Sequence, residues 1–221
     1  MPRMAGKLAL MEMLRAEGVE YIFGNPGTSE SPIMSSLEEY PDLKYMLSTQ
    51  EGVAMGMADG YAAASGRTAF VNLHIETGLA NGISLLHHAW AEGRETPIVV
   101  TSGNKDVRKL AEGRTELSEM VRLFTKWSVE VTHPEQVPGV MRRAFTEAKT
   151  PPAGPVYVGF SANALDDEAD VDIQPSSAVY SKHGADPAGV AAAVRILADA
   201  QRPLMVVGDR LGRSGGTKAA V

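Results

Sequence analysis

The 221-residue chain contains no cysteine. Disulfides, thiolate nucleophiles and cysteine-held zinc or iron–sulfur centres are therefore excluded. It also lacks any excess of positive charge: 21 Lys+Arg against 27 Asp+Glu leave a net charge of −6. A surface of that sign has no overall attraction for nucleic acid or anionic lipid, so neither is an expected partner. No uncharged apolar run approaches the ~18 residues that a membrane span needs. Lys7, Glu12 and Arg15 interrupt the N-terminal segment too often for a signal peptide, and the expected location is the cytoplasm. What remains is an ordinary globular composition, 44% hydrophobic and 22% charged, which excludes disorder as the main state.

The pattern along the chain is an alternation of helices and strands. Leu8, Met11 and Leu14 recur at helical spacing, and Gly18 stops that helix. Tyr21–Phe23, Lys44–Ser48, Thr68–Leu73, Thr96–Thr101, Trp127–Val131 and Pro155–Gly159 read as strands. The stretches Ser31–Glu39, Gly52–Ala64, Leu79–Ala91 and Pro134–Lys149 are long enough for helices between them. Apolar strands separated by helices predict an α/β fold: a doubly wound, six-stranded, mostly parallel sheet with helices on both faces. Arg108–Leu123 reads as a loop and a short helix over the sheet edge. Residues 1–163 form the first domain on this reading. Residues 164–185 carry acidic groups, serines and prolines without apolar periodicity and read as a linker. Residues 186–221 read as the start of a second α/β domain. Asp186-Pro187 opens a helix with its stripe at Val190, Val194 and Leu197, and Leu204–Val207 is a strand candidate.

In an open parallel sheet, ligands bind at the carboxyl ends of the strands. After the first strand comes Gly24-Asn25-Pro26-Gly27-Thr28-Ser29-Glu30, a turn suited to close backbone approach or to an anion, without the Gly-Lys-[Ser/Thr] ending of a P-loop. After the second comes Gln50-Glu51-Gly52 at the mouth of a helix rich in small residues. The helix dipole favours an ionised Glu51 and burial favours a protonated one, so this carboxyl can be poised to share a proton with a ligand nitrogen. It can equally be a first-turn glutamate that only complements the dipole. After the third strand comes His74, an acid/base candidate or a structural histidine. His87 and His88 are helix neighbours pointing about 100° apart and are not a chelating pair; one is expected to face the core and the other to be polar. No metal ligand is expected in this chain.

Together these strand ends carry a resemblance. Val19–Pro32 (VEYIFGNPGTSESP), Gln50–Ala64 (QEGVAMGMADGYAAA), Ala69–His74 (AFVNLH), Gly78–Asn81 (GLAN), Pro97–Gly103, Lys126-Trp127-Ser128 and Gly154–Val158 (GPVYV) stand in the order and spacing of one family. The chain resembles the N-terminal, pyrimidine-binding domain of thiamine diphosphate-dependent enzymes of the 2-oxo acid decarboxylase and acetolactate synthase group. Its likeness is greatest to the benzoylformate decarboxylase type.

The resemblance implies thiamine diphosphate and Mg2+ as cofactors and a 2-oxo acid as substrate. It also implies a homo-oligomer, dimer or tetramer, with active sites at subunit interfaces. Glu51 falls on the glutamate that hydrogen-bonds N1′ of the aminopyrimidine. Pro26 and Gly27 fall on positions packing against that ring, and Asn81 on one near the cofactor. His74 falls on a histidine handling protons on the substrate side, and Thr28 on a serine that contacts the substrate carboxylate. Glu76 departs from the pattern and puts negative charge near such a carboxylate. Asn72–Glu76 also differs from the Thr-Ser-Gly-Pro-Gly usual in acetolactate synthases. The resemblance implies a Gly-Asp-Gly…Asn-Asn motif in a C-terminal domain that holds the diphosphate and Mg2+; no Asn-Asn pair occurs in this chain, so that site is expected outside this segment. The chain alone is expected to be inactive and to be part of a longer or multi-chain enzyme. The alternatives are an acetolactate synthase-like carboligase and a non-catalytic binding module of the same fold.

Overall fold

A computed structural model describes residues 1–90, 94–109, 113–180 and 184–220. The chain divides into two compact units, Met1–Val179 and Tyr180–Val221.

The first unit is built on a six-stranded sheet in the order β3-β2-β4-β5-β7-β6. Its strands are β2 (Tyr21–Asn25), β3 (Lys44–Leu47), β4 (Ala69–Leu73), β5 (Ile98–Asn104), β6 (Ser128–Val131) and β7 (Pro155–Ser161). All five pairings are parallel. Consecutive residues of the central strands enter opposite cores. Phe70, Val99, Val156 and Val158 join one cluster, and Val71, Val100 and Tyr157 join the other. This period of two explains why the strands read as unbroken apolar runs: both faces are covered.

The helices divide between those faces as chain direction requires. The path runs outward from β2 to β3, then reverses and passes to β4 on the far side of β2. Right-handed crossovers therefore put α2 (Ser31–Ser36) on one face, and α3 (Glu51–Ser65) and α4 (Glu76–Trp90) on the other. Ile33 of α2 packs in the first cluster with Leu10 of α1 (Gly6–Ala16) and with Met141 and Phe145 of α6 (Val137–Lys149). Ala54, Met55, Leu79 and Leu86 of α3 and α4 pack in the second, with Leu117 and Val121 of α5 (Leu117–Val121). Gly18 stands at φ +72° just beyond α1, the left-handed conformation that ends helices. The reversal after β3 makes the crevice between β2 and β4 the topological switch point, where open α/β sheets bind ligands.

Two features depart from the expected boundaries. Residues from 164 onward do not leave the first unit as a linker. Ala162–Asp166 form α7, with Ala164 and Leu165 fully buried. Glu168–Asp170 form β8, antiparallel to β1 (Arg3–Ala5). Val171 is also buried, and the Ser176 hydroxyl donates to Glu17 Oε2 at 2.6 Å. A one-turn helix and a three-residue strand are too short to display a hydrophobic period, so composition alone reads as linker there.

In the second unit, Asp186 Oδ1 accepts from the Ala188 amide at 3.0 Å and caps α8 (Pro187–Asp199) as its residues predict. Leu204–Val207 do not form a strand and are exposed. A strand needs neighbours to pair with, and the described residues of this unit supply none. Short helices α9 (Asp209–Arg213) and α10 (Thr217–Ala220) follow. Val221, the last residue of the expected terminal helix, lies outside the described residues, as does Ala91 at the end of the expected Leu79–Ala91 helix.

Candidate functional site

The switch-point crevice gathers side chains from the ends of three strands. Gln50 caps α3, its side-chain oxygen accepting from the Val53 amide at 2.9 Å. This cap sets Glu51 as the first helical residue, only 7% exposed. Asn25, the last residue of β2, donates from Nδ2 to Glu51 Oε1 at 3.0 Å. Asn81, on α4, donates from Nδ2 to Glu51 Oε2 at 3.1 Å. Burial pushes the Glu51 carboxyl up and is the largest single influence. The Asn81 amide, its own backbone amide, Asn25 and the nearby His74 outweigh it, and the net pKa lies below the ordinary glutamate value. Glu51 is thus an ionised carboxylate held by one amide on each oxygen.

His74 follows β4, and its Nδ1 lies 2.9 Å from Glu30 Oε2. Glycines bring the two groups together. A Cβ on Gly78 would stand 2.9 Å from His74 Cβ and 3.0 Å from Glu51 Oε1. A Cβ on Gly27 would stand 2.2 Å from His74 Nδ1. Only hydrogen fits at either place.

The structure therefore groups Glu51, Asn81, Gly27 and His74. Pro26 is half-buried beside Gly27 in the turn after β2. Thr28 is exposed, and with Asn104, Lys105 and Asp106 it lines a polar cleft of about 370 Å³. Glu76 does not stand free: its Oε1 accepts from Thr115 Oγ1 at 2.8 Å, the main cause of its lowered pKa. His87 and His88 separate as their helix spacing requires. His87 meets the Phe124 ring edge-on, and His88 Nδ1 lies 3.4 Å from Asp59 Oδ2. Both are exposed, so the expectation that one of them faces the core is corrected: neighbours on an outward-facing stripe of α4 both reach solvent. Among the described residues no group of three His, Asp or Glu side chains forms a metal site.

Sequence reasoning missed Asn25 and Glu30. Asn25 sits in the quoted turn, but its amide reaches Glu51 only because β2 and β3 are paired. Glu30, fully buried, takes the Gly103 amide on Oε1 at 2.7 Å and the Gly27 amide on Oε2 at 2.9 Å. The available signal was a glutamate three residues beyond a glycine turn, the capping-box spacing.

A family profile described as the thiamine pyrophosphate enzyme N-terminal TPP binding domain matches residues 4–123. A benzoylformate decarboxylase of Pseudomonas aeruginosa is 36% identical over 216 residues, covering 93% of this chain and 37% of that protein. A probable acetolactate synthase large subunit of Methanocaldococcus jannaschii is 28% identical, covering 97% of this chain and 37% of that protein. The solved thiamine diphosphate-dependent 4-hydroxybenzoylformate decarboxylase of Rhodococcus jostii superposes with a TM-score of 0.85 at 27% identity, covering 98% of this chain and 42% of that one. The chain thus spans about two fifths of the length of these relatives. No helix among the described residues is long and apolar enough to cross a membrane. With the profile covering more than half of its residues, the chain belongs to the thiamine pyrophosphate enzyme family, as the N-terminal cofactor-binding part.

Proposed function

We propose that this chain is the aminopyrimidine-holding part of a thiamine diphosphate-dependent enzyme that decarboxylates a 2-oxo acid, in the manner of benzoylformate decarboxylase. The observation that carries the reading is the Glu51 clamp: a buried, ionised carboxylate at the switch point, with one amide on each oxygen. The donor set fits an aminopyrimidine. A carboxylate offers about four lone-pair sites, so two amide donors leave capacity to hold a proton at a ring nitrogen. Thiamine diphosphate, when bound, supplies the electron sink that lets CO2 leave a 2-oxo acid.

The roles of the chain's own residues follow. Glu51 holds a proton at N1′ of the ring, and Asn25 and Asn81 fix its rotamer. Pro26 and Gly27 border the ring, and Asn81 stands beside it. His74 takes or gives a proton on the substrate side, and the Thr28 hydroxyl donates to the substrate carboxylate. The diphosphate and its Mg2+ are held by oxygen ligands outside this segment, in a longer chain or a partner chain. The working enzyme is a homo-oligomer with its active sites between subunits, located in the cytoplasm.

The test is Glu51→Gln in the assembled enzyme that contains this chain. Turnover of benzoylformate falls by about 10²–10⁴-fold, the range of a lost acid–base group, while the fold persists. Unchanged turnover would overturn the assignment. One observation favours a second reading, an acetolactate synthase-like carboligase: the likeness to the acetolactate synthase large subunit extends over 97% of this chain. Product analysis separates the two. An aldehyde and CO2 from benzoylformate support the decarboxylase, and acetolactate from pyruvate supports the carboligase.

A further inference from the structure

We infer that Glu30 is a positioning residue that fixes the tautomer of His74, protonated on Nδ1 with Nε2 left to act on substrate. The inference rests on the substrate-side role proposed for His74.

Glu30 is fully buried, and its carboxylate receives three nitrogen groups from three parts of the fold. They are the Gly27 amide beyond β2, the Gly103 amide in β5 and His74 Nδ1 beyond β4. The two backbone amides can only donate, so they commit both Glu30 oxygens to accepting. A carboxylate held this way has only acceptor capacity left, so the 2.9 Å contact to Oε2 is donated by Nδ1. In a neutral ring that leaves Nε2 as the bare, basic nitrogen.

The burial contrast points the same way. The His74 side chain is 30% exposed and the Glu30 side chain not at all, so the ring's accessible part lies away from Glu30. The arrangement is also held against rotation. Gly27 leaves no room beside Nδ1 for even a methyl group, and Gly103 approaches so closely that a Cβ there would stand 2.8 Å from Glu30 Oε1. The register that pairs Asn25 with Leu73 and Leu73 with Ser102 sets these strand ends level, so sheet pairing itself builds the pocket.

Glutamine at position 30 cannot reproduce the arrangement. Its single oxygen must serve three donors, and its amide group opposes either a backbone N–H or Nδ1–H. Aspartate keeps both acceptors but withdraws them by one methylene.

The experiment is a double-mutant cycle on benzoylformate turnover by the assembled enzyme, saturated with thiamine diphosphate and Mg2+. Glu30→Gln lowers kcat by about 10²-fold, the lower end for a lost acid–base group, with KM little changed, and Glu30→Asp recovers most of the loss. In a His74→Ala background the Glu30→Gln change costs less than about twofold, because its effect passes through the imidazole. The same loss in both backgrounds would mean Glu30 only supports the loop, and overturns the inference. Should His74→Ala itself leave kcat unchanged, the substrate-side role of His74 fails and the inference fails with it.

A second readout needs no cofactor. The ring-nitrogen NMR shifts of His74 in this chain, taken at a pH where the ring is neutral, report Nδ1–H with bare Nε2. Glu30→Gln makes the opposite tautomer appear. A wild-type ring protonated on Nε2 and bare at Nδ1 overturns the inference whatever the kinetics show.

Discussion

Gly60 and Gly78 undergo the same substitution in two neighbouring helices, and the structure assigns it opposite signs. Gly60 lies in α3, is exposed, and an added Cβ would meet nothing within 4 Å. Alanine there recovers the helix propensity that glycine forgoes, about 0.8–1.0 kcal/mol. Gly78 lies in α4 and would recover the same amount, but its Cβ would approach His74 Cβ to 2.9 Å and Glu51 Oε1 to 3.0 Å. His74 Cβ is anchored to the backbone and cannot rotate away. Relief requires moving α4 or displacing Glu51 from its amide clamp. Overpacking of this kind costs about 1–3 kcal/mol, and an immovable neighbour places Gly78→Ala in the upper half of that range. Subtracting the propensity gain leaves a net loss of about 1–2 kcal/mol. At about 2–4 °C per kcal/mol for a unit of this size, Gly60→Ala raises Tm by about 2–4 °C and Gly78→Ala lowers it by about 2–8 °C. Thermal and urea melts of the two variants beside wild type provide the assay. Equal stabilisation by both substitutions would refute the close packing of Gly78 against Glu51 and His74.

Two further predictions concern the same unit. Asn81→Ala removes the strongest of the influences that lower the Glu51 pKa. A depressed carboxyl pKa contributes stability that is full above the unfolded value, about 4.3, and is lost as pH falls through the folded one. Asn81→Ala therefore destabilises the chain at pH 7 by about 1.5 kcal/mol, the low end for a hydrogen bond to a charged group because water reaches the exposed Asn81. The difference between variant and wild type shrinks toward zero below the folded pKa, and urea midpoints across the acid range measure it; a pH-independent difference contradicts the linkage. Leu165→Ala, in the region that composition reads as linker, costs about 2–5 kcal/mol because the side chain is fully buried. A change within about 0.5 kcal/mol, as expected of a surface position, would place residue 165 outside the core.

Much of the fold was legible in the linear pattern because long elements display their period. Six apolar runs, spaced by helix-length segments, suffice for a doubly wound parallel sheet, and all six joined it. The N-terminal helix, its glycine stop and the Asp186 cap follow from rules that act within a few residues. Glu51 and His74 were visible as candidates for the same reason: each lies just after a strand, where parallel sheets bind ligands.

Three-dimensional pairing decided the rest. Composition left Glu51 between ionised and protonated forms, since helix dipole and burial oppose each other. The balance fell to ionisation because Asn25, 26 positions away, and Asn81, 30 positions away, each bring an amide to it. Glu30 looked like any polar residue near a turn until the register of β2, β4 and β5 enclosed it with two backbone amides and the His74 ring nitrogen. The β1–β8 pair joins residues 165 positions apart, through strands too short to show a pattern. Local rules write secondary structure into a sequence, whereas the hydrogen-bond partners of a buried charge are set by which strand ends the sheet brings level.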